Sequence, residues 1–160
     1  MECILVKNLR TSPLNPRKHI NDESIVELAN SIKEYGLINP LLVRPLENED
    51  DCFEIICGER RYHALKSIKS EYADCVIVHM NDIRAREIML TENIQREDVD
   101  PLDEAESIFE LITNYNHSVA DLVTKLGKSE FYIRIRLKLV DLCDTLKEEY
   151  KNKYLSTSLS

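Results

Sequence analysis

Phe53-Glu54-Ile55-Ile56-Cys57-Gly58-Glu59-Arg60-Arg61-Tyr62-His63-Ala64 changes its local geometry at Gly58. Before that glycine, Phe53 to Ile56 is an apolar run of strand length; after it, the pattern is that of a helix reaching to about Lys69. A glycine at a strand-to-helix junction lets the backbone approach a phosphate, and the N–H groups that open a helix favour an anion. Arg60 and Arg61 add guanidinium forks whose donor geometry matches phosphate oxygens. Taken alone the string has a second reading, because Glu-Arg-Arg at a helix start also serves as an ordinary solvated face.

Working outward, Leu41-Leu42-Val43 is a second apolar run, joined to Phe53–Ile56 through the acidic stretch from Glu47 to Asp51, which has the polarity of an exposed hairpin loop. Ile4 to Val6 reads as a strand. Asn21 or Asp22 caps a helix whose Ile25, Leu28, Ala29 and Ile32 follow helical spacing and which Gly36 ends. Val76-Ile77-Val78 is a further strand, and a helix runs from Asp82 to about Gln95. At its end lies Glu92-Asn93-Ile94-Gln95-Arg96, where a carboxylate and an amide oxygen, both hard ligands suited to Mg²⁺, sit beside another arginine. The plainer alternative is a helix C-terminus closed by a Glu92–Arg96 pair and a favourable dipole.

The pattern changes at Asp98-Val99-Asp100-Pro101. Asp100 as N-cap and Pro101 at the first helical position open a region without strand signals, so the expected domains are residues 1–98 and 99–160. Leu102, Ala105, Phe109 and Ile112 are expected on one buried helix face. Ser118 and Asp121 form a capping box before Val119, Leu122, Val123 and Leu126; Gly127 ends that helix and Ser129 caps the next. Two short helices about a three-residue turn predict a helix-turn-helix, whose second helix enters the major groove. Lys128, Ser129, Tyr132, Arg134, Arg136 and Lys138 are the candidate DNA contacts, with Ile133, Leu137 and Val140 turned to the core. Glu130 supports a structural alternative, since at i, i+4 it can satisfy Arg134 locally.

Composition narrows the classes. The chain has 160 residues, 43% of them hydrophobic, with three glycines and five prolines, enough to bury a core and to exclude general disorder. No run approaches a membrane span and the first residues lack a signal-peptide pattern, so a soluble cytoplasmic protein is expected. Five scattered cysteines without CxxC spacing suit reduced thiols. A net charge of −8 argues against nucleic acid until its distribution is seen. From His117 to Leu139 five basic residues face two acidic ones, giving +3 there and −11 elsewhere.

In this order the motifs resemble the ParB family: Asn15-Pro16-Arg17, Leu28-Ala29 with Ser31-Ile32 and Gly36, Asn39-Pro40-Leu41-Leu42-Val43-Arg44, Gly58-Glu59-Arg60-Arg61-Tyr62-His63-Ala64, Glu92 to Asp98 with Pro101, and Leu126-Gly127-Lys128-Ser129 followed by Arg136-Leu137. The resemblance implies an α+β chain: a nucleotide domain of the kind shared with sulfiredoxin, then an all-α helix-turn-helix domain. It further implies a clamp that loads at a partition site on double-stranded DNA, binds CTP with Mg²⁺, pairs with a second copy on closing, and reopens after slow hydrolysis. Gly58, Arg60 and Arg61 would hold phosphates with Glu59 beside them in the nucleotide site, and Glu92 and Asn93 would reach the metal and triphosphate, with Gln95 and Arg96 adjoining. Pro40, Val43 and Arg44 would shape the pocket, and Glu59 and Glu92 would influence hydrolysis. A ParA-like ATPase is an implied partner.

This sequence also departs from the family. Asn15 and Asn39 stand where glutamine is frequent, and Glu130 replaces a basic residue. The amino-terminal extension that many members use to contact a partner ATPase is expected to be absent, and Tyr154 to Ser158 resembles the start of the next family helix, so a truncated chain, or a short relative, lacking the C-terminal dimerisation domain is expected. Two other readings remain: a small-molecule kinase of the free-serine type, and a plasmid or phage transcription regulator without a nucleotide switch.

Overall fold

The computed structural model describes residues 1–15, 22–47, 49, 51–96, 99–141, 146 and 149. Pro16, Arg17, the Asn21 cap, Glu97, Asp98, Cys143 and the stretch from Tyr154 lie outside the described residues. Two compact units emerge, one ending at Glu92 and the other beginning at Asn93.

The first unit contains strands β1 (Glu2–Leu5), β2 (Leu9–Thr11), β3 (Leu41–Pro45), β4 (Phe53–Cys57) and β5 (Tyr72–Ile77), with helices α1 (Asp22–Tyr35), α2 (Glu59–Ser67) and α3 (Asp82–Ile94). The strands form one mixed sheet in the order β1-β5-β3-β4-β2. β3 and β4 are the expected antiparallel hairpin; β3 runs parallel to β5 and β2 parallel to β4. Successive side chains alternate across the sheet. Leu41, Val43 and Ile55 therefore join Ala29 and Ile32 of α1 and Ala64 and Leu65 of α2 in one core. Ile56 points the other way, to Ala85 and Met89 of α3, with Leu42 and Cys57 packed beside them.

The sheet differs from expectation at its edges. β1 starts earlier than Ile4 and gives way to a 3₁₀ turn at Val6–Asn8, and β5 begins at Tyr72 rather than Val76. β2 was not anticipated: it is three residues long and only Leu9 is buried, so no alternation announces it. Between Leu42 and Val43 the register with β4 shifts, pairing Leu42 with Cys57 but Val43 with Ile55. Such a bulge bends its strand locally, and it falls at the end of β4 that leads into Gly58.

The second unit is helical: α4 (Pro101–Thr113), α5 (Val119–Leu126) and α6 (Glu130–Val140). Asp100 caps α4 by accepting from the N–H groups of Leu102 and Asp103, with Pro101 in the first turn. On α4, Leu102 and Ala105 are buried as expected, but Ile108 and Leu111 complete the inward face while Phe109 is exposed. A mixed sheet with helices followed by an all-helical unit is the α+β architecture read from the sequence. No helix among the described residues is long and apolar enough to cross a membrane.

Ser118 and Asp121 make the capping box at the start of α5: the Asp121 N–H donates to Ser118 Oγ at 3.1 Å and the Ser118 N–H to Asp121 Oδ2 at 2.9 Å. Ser118 is therefore expected to contribute about 1 kcal/mol through its cap, measurable as a lowered urea midpoint in Ser118→Ala. Hydrogen bonds from the Ser118 side chain and backbone hold the Asp121 carboxyl below its ordinary value. A lowered folded value makes the contribution complete above the ordinary carboxyl range and lost as pH falls through the lowered one. Ser118→Ala should flatten that acid limb.

Candidate nucleotide site and nucleic-acid interface

Gly58 is the N-cap of α2 and takes φ +104° and ψ 24°. A Cβ there would lie 2.7 Å from Leu41 Cδ2 and 2.9 Å from Arg61 Nη2. The turn thus needs glycine twice over, for its dihedral and for the close approach of β3 and Arg61. Arg61 Nη1 donates to the carbonyls of Asn39, at 2.7 Å, and Pro40, tying the chain ahead of β3 to the glycine turn. Burial pulls the Arg61 pKa below its usual value, opposed by Cys57 and Glu92. In turn burial, reinforced by Glu92 and opposed by Arg61, pushes the Cys57 thiol up to about 11.

Arg60 carries the more informative atom. Its Nε is buried and has no hydrogen-bond partner among the described residues. A buried donor left without a partner costs about 1–3 kcal/mol, more when charged, and is rare enough to require an explanation. Glu59 Oε2 accepts from Asn15 Nδ2, and Oε1 lies 3.6 Å from His63 Nε2. Through Asn15 it links the chain after β2 to the start of α2.

Two residues expected to shape the pocket have other work. Val43 is fully buried in the core between the sheet and α1 and α2, so its side chain offers no surface to a ligand. Arg44 is buried and donates through Nε to Glu54 Oε2 at 2.5 Å, through Nη2 to Asp82 Oδ1 at 2.5 Å and through Nη1 to the Met80 carbonyl at 3.2 Å. Burial disfavours its charge, but hydrogen bonds and charges from Asp82 and Glu54 outweigh it and hold the guanidinium above its usual pKa. Ser12 Oγ donates to the other Glu54 oxygen at 2.6 Å. Arg44 clamps β3, β4 and the first turn of α3 together. Sequence spacing gave no sign of Glu54 and Asp82 as its partners, or of Ser12 as a partner of Glu54, since groups far apart in sequence carry no local pattern.

At the end of α3, Glu92 is exposed and Gln95 follows in a solvent-facing turn. Asn93 differs from its neighbour: it is 4% exposed, its amide 3.5 Å from Ser107 Oγ and its Oδ1 accepting from Arg96 Nη1 at 3.4 Å. The Asn93 amide is thus held between Arg96 and Ser107. Among the described residues no cluster of three or more His, Cys, Asp or Glu is placed to hold a metal.

On the second unit, Gly127 at φ 65° closes α5 and Ser129 Oγ accepts from the Tyr132 N–H, so the turn is Gly127-Lys128-Ser129 as expected. The six DNA candidates divide. Tyr132 and Arg136 point to Glu104 of α4, which is 2% exposed: the Tyr132 hydroxyl lies 2.7 Å and 2.8 Å from its two oxygens, and Arg136 Nε donates at 2.7 Å. Arg136 also reaches the Tyr132 hydroxyl at 3.0 Å and stacks 4.6 Å over its ring. These two serve as the polar partners that offset the burial of the Glu104 carboxylate. Lys128 rests 5.2 Å over the Tyr132 ring. Arg134 pairs with Glu130 at 2.7 Å with both side chains exposed, an arrangement worth a few tenths of a kcal/mol and easily exchanged for another anion. Phe131 and Ile135, not singled out in the sequence, are exposed on α6.

Comparison with known proteins shows the same order of two domains. The ParB N-terminal domain matches residues 1–94 and the ParB HTH domain residues 97–159. Stage 0 sporulation protein J of Bacillus subtilis is 34% identical over 92% of this chain and 51% of its own length. The nucleoid occlusion protein of Listeria innocua is 36% identical over 88% of this chain and 49% of its own. The chain spans about half the length of these curated relatives. Among solved structures, C-terminally truncated ParB from Caulobacter crescentus complexed to the centromeric parS site superposes with a TM-score of 0.80 at 26% identity, covering 92% of this chain and 76% of that one. The same protein complexed with CTP-gamma-S gives 0.57 at 27%, covering 98% and 87%. Over a sheet that ends in the Gly58 turn and a helical unit built on the Gly127 turn, this chain belongs to the ParB family.

Proposed function

We propose that this chain is a CTP-dependent DNA-binding clamp of chromosome or plasmid partition, loading at a specific duplex site through α5 and α6 and switching with CTP binding and slow hydrolysis. The observation that carries the nucleotide half is the Arg60 Nε, buried and without a partner among the described residues, next in sequence to a turn that only glycine fits. A phosphate there would satisfy that donor and lie against the first-turn N–H groups of α2. Glu92, an exposed carboxylate of the second motif, would hold Mg²⁺, with the triphosphate supplying further oxygens, as is usual for that ion. The likeness to a ParB complexed with CTP-gamma-S favours cytidine over other bases. Only an intact γ-phosphate would hold two elements at once, so hydrolysis would release the closed state. Nucleotide-driven pairing of two copies and a ParA-like ATPase partner belong to the same reading.

Calorimetric titration with CTP, ATP and GTP in Mg²⁺ tests it. Selective CTP binding is expected, and ATP preference with phosphorylated serine as product would replace the clamp with a kinase. Arg60→Ala should weaken CTP binding by about tenfold or more, while the melting temperature of the nucleotide-free protein stays level or rises, because an unsatisfied buried donor is removed. Unchanged CTP affinity in that variant would remove Arg60 from the site.

For the DNA half, Arg134→Ala should reduce the slope of log K against log salt by about one phosphate's share, roughly 0.9. A slope unmoved by that replacement would leave Arg134 paired with Glu130 in the complex.

A further inference from the structure

We infer that Phe131, supported by Ile135, reads thymine methyl groups in the major groove and sets the sequence preference of this chain; the inference rests on the DNA-binding reading above. The outward stripe of α6 is Phe131, Arg134, Ile135 and Lys138, all exposed and spaced i, i+3, i+4, i+7. Phe131 is 74% exposed and Ile135 40%. Large apolar side chains so exposed are costly in water and repay burial.

The hydrogen-bonding residues that would otherwise read base edges are engaged elsewhere. Ser129 Oγ caps α6, and the Tyr132 hydroxyl and Arg136 Nε serve Glu104. In a helix-turn-helix the first turn of the second helix meets base edges while flanking cations meet phosphates. Here that first turn presents Phe131, with Lys128 before it and Arg134 and Lys138 after it. The only apolar feature on a major-groove base edge is the C5-methyl of thymine, and phenylalanine is among the side chains that contact it. The basic residues of the same stripe make duplex DNA, rather than an apolar protein surface, the complementary partner.

The test begins by selecting duplexes from a random pool with the whole chain, then replacing each thymine of the selected site by deoxyuridine, which removes only the methyl group. Wild-type affinity should fall by about fourfold per methyl contacted. In Phe131→Ala the same replacement should have no effect, and affinity for the original site should already be reduced. Arg134→Ala should weaken all duplexes alike and keep the thymine dependence. Phe131 is mostly solvent-exposed, so its removal leaves no cavity in the core. Equal deoxyuridine sensitivity in wild type and Phe131→Ala, or none in wild type, overturns the assignment while leaving DNA binding intact. A Phe131→Ala change that alters only sedimentation, with duplex affinity unmoved, overturns it in favour of a contact between copies. Enrichment of no duplex at all would remove the DNA-binding reading itself, and this inference with it.

Discussion

Gly58→Ala is expected to destabilise the first unit by about 2–5 kcal/mol and to abolish CTP binding, the sum of strain at a backbone conformation foreign to alanine and of overpacking. The new methyl would meet Leu41 Cδ2 at 2.7 Å. Leu41 is fully buried and cannot swing aside without displacing its own core. On its other flank the methyl would meet the Arg61 guanidinium at 2.9–3.0 Å, forcing it off the Asn39 and Pro40 carbonyls. Gly36 supplies the control. Its φ is also positive, at +77°, but nothing lies within 4 Å of an added Cβ, so Gly36→Ala should cost only about 1 kcal/mol of backbone strain. Urea unfolding of the two variants separates crowding from dihedral strain. Equal and small losses in both would mean that the β3–α2 junction relaxes freely, and retained CTP affinity in Gly58→Ala would detach the glycine turn from the nucleotide.

Glu104→Ala is expected to lower the stability of the helical unit by about 3 kcal/mol, because removing one partner of a buried pair strands the other. The carboxylate accepts from Arg136 Nε and the Tyr132 hydroxyl, and Arg136 keeps one-fifth of its side chain in contact with solvent. That residual exposure places the loss at the lower end of the range for buried pairs. The informative comparison is the double replacement Glu104→Leu with Arg136→Leu, which should recover most of the lost stability, since apolar residues of similar volume often substitute for a buried ion pair at little cost. Thermal melts of the single and double variants give the coupling directly. Additive losses would show that the carboxylate and guanidinium act independently.

How much was legible beforehand follows from the range of each signal. The β3–β4 hairpin, the Gly58 junction, the Asp100 and Ser118 caps and the Gly127 turn are encoded within a few residues, and local rules retrieve them. β2 escaped because two of its three residues, Arg10 and Thr11, are exposed polar side chains and its partner is β4, more than forty positions away. The inward face of α4 was misplaced by choosing Phe109 over Ile108, two apolar neighbours between which periodicity alone is a weak arbiter. The site was legible as motif and obscure as geometry. Arg44, Tyr132 and Arg136 looked like contacts for phosphate or base, and each proves tied to a carboxylate 10 to 38 positions away. A sequence displays its cations openly but conceals which anion each has already engaged.

On the proposed DNA-binding reading, the division of labour along α6 bears on how a site preference would change over generations. Ile133 fills the core and Arg136 and Tyr132 hold Glu104, whereas Phe131, Arg134, Ile135 and Lys138 have little to lose on substitution. Exposed positions away from caps and cores usually change stability by less than about 0.5 kcal/mol. Mutations on the outer stripe can therefore accumulate without endangering the fold, and related chains can drift toward separate DNA addresses while retaining one helix-turn-helix scaffold.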